Sequence, residues 1–190
     1  MSESPSVVLK PETASTQSTI VAPLQEVFSS VQGEGVYVGF RQIFVRFAHC
    51  HLKCSYCDTP MQTADGRFYA ETIPGGAEDT LVSYENPVSA ETLTDVLKTL
   101  LGQAQHHSVS FTGGEPLLYH RFLKDVLPEI QPLAKTYLET SGTQASFLAE
   151  VVEHVDIVAM DIKLPSSTGE RAYFVEHAHF LACLDDYPDT

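Results

Sequence analysis

Three cysteines lie close together at Cys50, Cys54 and Cys57, in the run CHLKCSYC. Thiolates at this Cys-x3-Cys-x2-Cys spacing can hold one inorganic centre. Three protein ligands leave one coordination position open, and an open position is typical of a metal that binds and transforms a ligand. The spacing therefore predicts a reactive metal site rather than a purely structural one.

The spacing by itself is compatible with two kinds of metal. The first is a [4Fe–4S] cluster that is held through three of its irons, and the second is zinc with His49 or His51 as the fourth ligand. Three unligated core cysteines are a third interpretation, which the local density of thiols disfavours. The spacing favours iron–sulfur over zinc.

Composition limits the class of protein. The chain has 190 residues, 43% of them apolar, and a net charge of −14, which fits one soluble globular domain. The negative charge argues against nucleic acid as a main partner, because phosphate binding needs a basic surface. No apolar run approaches the roughly 18 residues of a membrane span. We expect a disordered leader over 1–22, one domain over 23–190 and a cytoplasmic location.

Strand-like apolar runs alternate with amphipathic helical runs along the domain. Strands are predicted over 41–48, 108–112, 135–139 and 156–161, and helices over 89–101, 120–130, 146–155 and 170–184. Segment 66–87 contains Pro74-Gly75-Gly76 and acidic residues, which predicts a long loop or insertion. Four strand–helix alternations predict an α/β fold with parallel strands and outer helices.

Each predicted strand ends in a polar or glycine-rich cluster. In a parallel sheet all carboxyl ends share one edge, and ligands bind there. We therefore expect the cysteines, the GGE run at 113–115, the ETSG run at 139–142 and the DIK run at 161–163 to converge. Four such units do not close an eight-stranded barrel. The sequence therefore predicts a partial, incomplete βα barrel, which is either completed by another chain, left open or truncated.

The cysteine motif after the first strand, with Gly113-Gly114-Glu115-Pro116 after the second, resembles the radical S-adenosylmethionine (SAM) enzymes. Four further segments are VQGEG at 31–35, FVRFA at 44–48, CDT at 57–59 and LETSGT at 138–143. They resemble the 7-carboxy-7-deazaguanine synthase family of the queuosine (7-deazapurine) pathway. The resemblance extends over about residues 24–171.

The resemblance implies a carbon–nitrogen lyase that uses a [4Fe–4S] cluster, SAM and Mg²⁺. A 5′-deoxyadenosyl radical would abstract hydrogen from C6 of 6-carboxy-5,6,7,8-tetrahydropterin, and the ring would contract with loss of ammonia to give 7-carboxy-7-deazaguanine. It also implies an external one-electron donor of the flavodoxin or ferredoxin type and a homodimer. Because the family continues through further strands, the resemblance implies that the partial barrel is truncated at its C-terminus.

The resemblance implies a role for each matching residue, with no catalytic side chain beyond the cluster and the cofactor. The cluster ligands would be Cys50, Cys54 and Cys57, and the magnesium ligand Thr59. The SAM contacts would be Tyr56, Cys57, Asp58, Gly114, Asp161, Ile162 and Lys163. The substrate contacts would be Val31, Gln32, Gly33, Arg46 and Thr112. Asp161 and Lys163 are alternatively an ion pair at the rim.

Side chains alternate between the two faces of a strand, so Arg46 points away from the apolar face of its strand. If that apolar face packs on the helices, Arg46 faces the barrel lumen. A buried guanidinium needs an anionic partner. That partner is either the substrate carboxylate, through a bidentate pair, or an internal acid such as Glu34 or Glu139.

Two other functions share some of these features. A glycyl-radical activase has the same cysteine spacing but gives no reason for the QGEG and CDT segments. A zinc or iron–sulfur binding module without catalysis is the other alternative. His49 departs from the glycine that is common in the family, and packing is its expected role. The other histidines, including His177, are expected to be surface or packing residues.

Overall fold

The structure is a computed structural model that describes residues 20–59, 65–187 and 190. Its strands are β1 (Val21–Ala22), β2 (Leu24–Val31), β3 (Arg41–Phe47), β4 (Arg67–Glu71), β5 (Leu81–Glu85), β6 (Val88–Ser89), β7 (Ser108–Gly113), β8 (Lys135–Thr140) and β9 (Ile157–Met160). Its α-helices are α1 (Ala90–Leu101), α2 (His120–Ile130), α3 (Ala145–Leu148), α4 (Pro165–Thr168) and α5 (Phe174–Ala182). No helix in these described ranges is long and apolar enough to cross a membrane.

Seven strands of the described chain form one mixed sheet in the order β5-β4-β2-β3-β7-β8-β9. Strands β3, β7, β8 and β9 are neighbours and run parallel, so their carboxyl ends lie at one edge. Strand β2 runs antiparallel to β3, while β4 is parallel to β2 and β5 is antiparallel to β4. The predicted α/β fold with four neighbouring parallel strands is confirmed.

One face of the sheet packs on the helices and forms the core. Ile43, Val45 and Phe47 of β3 are 0% exposed and belong to the same apolar cluster as the inner faces of α1 and α2. Helix α1 begins where predicted, because the side chain of Ser89 accepts a hydrogen bond from Thr92 N–H. The opposite face of the sheet carries the polar side chains that are described below.

Five strands of the described residues were missed in the sequence, namely β1, β2, β4, β5 and β6. Segment 66–87 is not a long loop, because it contains β4 and β5, which pair antiparallel; Phe68 and Ala70 of β4 are buried. The alternation of buried and exposed residues in β4 is short, and the Pro-Gly-Gly run that follows it made the whole segment resemble a loop. The alternation of β2 is broken by a bulge between Leu24 and Glu26.

The predicted leader boundary and two helix bounds also differ from the structure. Residues 1–19 lie outside the described residues, but Val21 and Ala22 pair with β6, so a disordered leader to residue 22 extends too far. The helix predicted over 146–155 is only α3 followed by a 3₁₀ turn at Val152–His154, since two adjacent β-branched valines disfavour a continuous helix. The helix predicted over 170–184 is the shorter α5.

Candidate functional site

A cavity of about 410 Å³ lies at the carboxyl edge of β3, β7, β8 and β9. It brings together ten of the predicted site residues, namely Gln32, Cys50, Cys54, Tyr56, Cys57, Thr59, Thr112, Gly114, Asp161 and Lys163. The other five predicted residues are not in its lining; they are Val31, Gly33, Arg46, Asp58 and Ile162. The expected convergence of four strand ends is therefore confirmed, because each end supplies part of the wall.

The loop that carries the cysteines begins directly after β3 and is fixed at both ends. At its start, Gly114 N–H donates to Phe47 O and Glu115 N–H donates to His49 O, both at 2.9 Å. Further along, Ser55 N–H donates to Thr168 O at 2.8 Å. The main chain around the thiols is thus held by two other segments of the fold.

Two glycines are required where β7 meets this loop. A Cβ on Gly114 would lie 1.8 Å from His49 O. Gly113 has φ +107°, and a Cβ there would lie 2.6 Å from the main-chain nitrogen and oxygen of Phe47. Only glycine tolerates both the contact and the dihedral angle. The GGE motif therefore has a structural reason, which is to let β7 approach the start of the cysteine loop.

The three thiols of the cysteine loop lie in one cavity. All three are free and line the same cavity. Within the described residues, no three His, Cys, Asp or Glu side chains lie close enough together to hold a single metal ion. Neither candidate fourth zinc ligand supports that alternative, since the side chain of His49 is exposed and His51 Nε2 lies 2.8 Å from Thr143 Oγ1. Burial raises the pKa of Cys50, while the Leu52 amide opposes this.

His49 adopts the left-handed conformation, with φ +64°. Glycine occupies this region at no steric cost, whereas another residue there costs about 1 kcal/mol. The expected packing role is wrong, because the side chain is exposed. Its main chain has a role instead, since its carbonyl accepts from Glu115 N–H.

Glu115 is a buried carboxylate that ties two loops together, and the sequence prediction gave it no role. It is 0% exposed and accepts four hydrogen bonds, from Leu117 N–H, Thr140 Oγ1, Ser141 N–H and Ser141 Oγ. Two of the donors are main-chain amides. Glu115 therefore fixes the turn after β8 to the turn after β7.

Lys163 forms an ion pair with Asp161, and its Nζ donates to the hydroxyl of Tyr56 at 3.0 Å. The rim ion pair considered from the sequence is thus present. Burial lowers the pKa of Lys163, but the hydrogen bonds with Asp161 and Tyr56 outweigh burial and hold it above its ordinary value. The ammonium is therefore charged at neutral pH and forms a cationic point on the cavity wall.

Glu139 organises a second polar cluster in the cavity. Its carboxylate accepts from Gln32 Nε2 at 2.7 Å, from Ser110 Oγ at 3.1 Å and from Thr112 Oγ1 at 2.5 Å. All three donors are side chains. The cluster therefore links two predicted substrate contacts, Gln32 and Thr112, through an acid that the sequence analysis considered only as an internal partner of Arg46.

Gln32 reaches this cluster from the other edge of the sheet. Because β2 is antiparallel to β3, Val31 pairs with Arg41 at the start of β3, far from the cysteines. The loop between these strands is closed by Gln32 N–H donating to Phe40 O at 2.8 Å, and Glu34 and Gly35 of that loop line the cavity. The cavity is therefore bounded by the cysteine loop at one edge and this hairpin loop at the other.

Arg46 lies on the predicted face, but its surroundings differ from the prediction. Its side chain is 37% exposed, so the expectation of a buried guanidinium is wrong. Its Nη1 pairs with Glu26 at 2.9 Å, and neither Glu34 nor Glu139 is its partner. The guanidinium also lies 5.6 Å from the ring centroid of Phe28. Strand β2, which runs antiparallel to β3 and which the sequence did not reveal, supplies both neighbours.

The profile of the radical SAM superfamily matches residues 44–177. The chain belongs to the radical SAM superfamily. The match spans the cysteine loop, the GGE turn and the loops after β8 and β9, and so includes the carboxyl ends of all four parallel strands. The superfamily accounts for the open side of the cysteine site, because its members use a [4Fe–4S] cluster together with SAM.

The chain is similar to curated proteins of one kind within the superfamily. The chain is 43% identical over 162 residues to the 7-carboxy-7-deazaguanine synthase of Geobacter sulfurreducens, covering 84% of this chain and 64% of that protein. It is 41% identical over 145 residues to the synthase of Methanothermobacter thermautotrophicus, covering 75% of this chain and 50% of that protein. The chain thus spans between half and two thirds of the length of these relatives.

A solved structure shares the fold. The crystal structure of QueE from Escherichia coli matches with a TM-score of 0.52 at 20% sequence identity, covering 88% of this chain and 80% of that one. At this identity the match shows the likeness of fold alone.

Proposed function

We propose that this protein is a radical SAM lyase that converts 6-carboxy-5,6,7,8-tetrahydropterin to 7-carboxy-7-deazaguanine with loss of ammonia. One observation carries the proposal: a single cavity holds the three thiols of the cysteine loop and the hydrogen-bonded cluster of Glu139, Gln32 and Thr112. A cofactor site and a polar site for a heterocycle are thereby adjacent. The named relatives support the choice of this reaction among those of the superfamily.

The residues present fit the cluster and the cofactor. Cys50, Cys54 and Cys57 would hold the [4Fe–4S] cluster, and Gly114, which lines the same cavity, would contact the amino-acid part of SAM. When bound, the cluster and SAM supply a carbon radical that removes a hydrogen atom from the substrate. An external donor of the flavodoxin or ferredoxin type would provide the electron.

The cofactor contacts would come from both sides of the cysteine loop. Tyr56, Cys57 and Asp58 belong to that loop, and Asp161, Ile162 and Lys163 follow β9. The ammonium of Lys163, held by Asp161 and Tyr56, would keep the ring of Tyr56 in place beside the adenine. Thr59 would offer a hard oxygen to Mg²⁺.

The substrate would lie against the Glu139 cluster. A pterin ring presents neighbouring N–H groups and ring nitrogens, and Glu139 with Gln32 offers acceptors and donors side by side. Thr112 would complete this wall, and Val31 and Gly33, which flank Gln32 outside the cavity lining, would add contacts from the hairpin loop. Arg46 would bind the substrate carboxylate while it keeps Glu26, since only its Nη1 contacts that acid and a guanidinium carries five donors.

We also infer that the sheet is part of an incomplete βα barrel, which the likeness to QueE supports. The homodimer and the cytoplasmic location stay predictions. A glycyl-radical activase would share the cysteine loop but would have no use for a Gln–Glu–Thr cluster inside the same cavity.

The test is anaerobic reconstitution with iron and sulfide, followed by incubation with reductant, SAM, Mg²⁺ and the carboxytetrahydropterin. Mass spectrometry should detect 7-carboxy-7-deazaguanine and 5′-deoxyadenosine, and neither should form with a Cys54→Ala variant. An arm without Mg²⁺ tests whether the reaction needs that ion. Protein that binds zinc and no iron, or protein that cleaves SAM without consuming the pterin, would contradict the proposal.

A further inference from the structure

His177 is buried beneath the two loops that follow β8 and β9. It lies on α5, is only 4% exposed and is not part of the cavity lining. Its Nδ1 lies 2.9 Å from the carbonyl oxygen of Gly142, and its Nε2 lies 3.1 Å from the backbone nitrogen of Lys163. A single imidazole therefore bridges the main chains of two loops that border the cavity.

The two partners determine which nitrogen carries the proton. A carbonyl oxygen can only accept, and a backbone N–H can only donate. Nδ1 must therefore donate to Gly142 O, and Nε2 must accept from Lys163 N–H. The ring is neutral and in one tautomer, and each of its nitrogens has a separate function.

Both bridged loops contribute to the cavity and have little freedom to move. Gly142 has φ +65°, and a Cβ there would lie 2.2 Å from Cγ of Met160, which lines the cavity. On the other side, the ammonium of Lys163 is bound to Asp161 and Tyr56. A shift of the Lys163 main chain would therefore be passed directly to side chains of the cavity wall.

We propose that His177 is a positioning residue for S-adenosylmethionine. It does not touch the cofactor but holds the Lys163 main chain at a fixed distance from the loop after β8. This inference rests on the proposed function, in which Asp161, Ile162 and Lys163 contact SAM. It gives a role to a histidine that the sequence marked only as packing.

Two variants separate the two hydrogen bonds. In His177→Asn the amide nitrogen can still donate to Gly142 O, but the side chain is too short to reach Lys163. In His177→Gln the amide oxygen can take the place of Nε2 and accept from Lys163 N–H. His179→Asn is the matched control, because His179 is exposed on the same helix.

The experiment measures SAM binding by anaerobic calorimetry on reconstituted protein without reductant, together with iron content and unfolding temperature. We expect His177→Asn to raise the Kd for SAM about tenfold, since a buried amide loses its acceptor, and His177→Gln to return it to within about threefold of the wild type. Iron content should be equal in all samples, and His179→Asn should bind SAM like the wild type.

Two results would overturn the inference. One is unchanged SAM affinity in His177→Asn. The other is an equal loss of affinity in both variants that follows an equal loss of unfolding temperature, because a merely structural histidine gives that pattern. Wild-type protein that holds a cluster but does not bind SAM would instead overturn the proposed function, and this inference with it.

Discussion

Glu115 and Glu139 lie near the ends of neighbouring strands, yet different kinds of donor hold their carboxylates. Glu115 is fully buried and accepts from two main-chain amides as well as two hydroxyls. Glu139 lines the cavity and accepts only from side chains. Main-chain donors cannot turn away without moving a loop, whereas side-chain donors can rotate towards a ligand. The first cluster is thus suited to hold the rim, and the second to exchange partners with a substrate.

The largest effect is expected when the rim acid is removed. Glu115→Ala would leave the buried amides of Leu117 and Ser141 without acceptors, so we expect the free energy of unfolding to fall by about 3 kcal/mol or more. Urea unfolding measures this. The control is Glu129→Ala, which removes an exposed ion pair with Lys98 and should cost under about 1 kcal/mol. If Glu115→Ala lowers the free energy of unfolding by less than about 1 kcal/mol, Glu115 does not hold the rim, and the contrast with Glu139 fails.

Glu139→Gln should weaken ligand binding more than it lowers the stability of the fold. The amide keeps the shape but replaces one acceptor by a donor, which conflicts with the Thr112 hydroxyl or with Gln32. We expect affinity for the carboxytetrahydropterin to fall about tenfold, while stability changes by only about 1 kcal/mol. Calorimetry with the pterin and, separately, with SAM measures this. Equal losses for both ligands would mean that Glu139 also holds the rim.

Substitution of Arg46 tests whether this residue binds the substrate or only pairs with Glu26. Arg46→Ala should weaken pterin binding by several fold and leave iron content unchanged, because one charge-assisted contact to the carboxylate is lost. Glu26→Gln keeps the guanidinium and removes its partner, so it should not weaken binding. If both variants bind the pterin alike, only the ion pair with Glu26 matters. The half-exposed pair itself contributes under about 1 kcal/mol to stability.

The smallest effect is expected at His49, on the rim side. His49→Gly relieves the left-handed strain but adds freedom to the unfolded chain, so the net gain in the free energy of unfolding should be under about 1 kcal/mol. The urea midpoint measures it, with His51→Gly as a comparison at a residue outside the left-handed region. A loss of stability on His49→Gly would show that the exposed imidazole makes a contribution of its own.

The sequence was most informative where one short segment carries both the chemistry and the geometry. The cysteine loop, the GGE turn and the four parallel strands followed from local patterns, because each apolar run is long enough to display its period. Gly114 could also be recognised from the sequence, because two main chains that approach closely require a glycine.

Other features depended on contacts between distant segments. The pairing of Arg46 with Glu26 requires β2, whose alternation is interrupted by a bulge. The four bonds of Glu115 and the bridge made by His177 join loops that no local pattern connects. A buried glutamate or histidine looks in sequence like a solvated one, so only the fold could reveal their partners.

The fixation of the cysteine loop also has a consequence for how the chain folds. The hairpin of β2 and β3 is local and can form early, but Ser55 is held by Ser167, 112 residues later. Contacts of such long sequence separation form slowly, because the chain must close a large loop first. The cysteine loop therefore takes its final position only when the segment around Ser167 has folded, and refolding in air should oxidise the thiols before the site is complete.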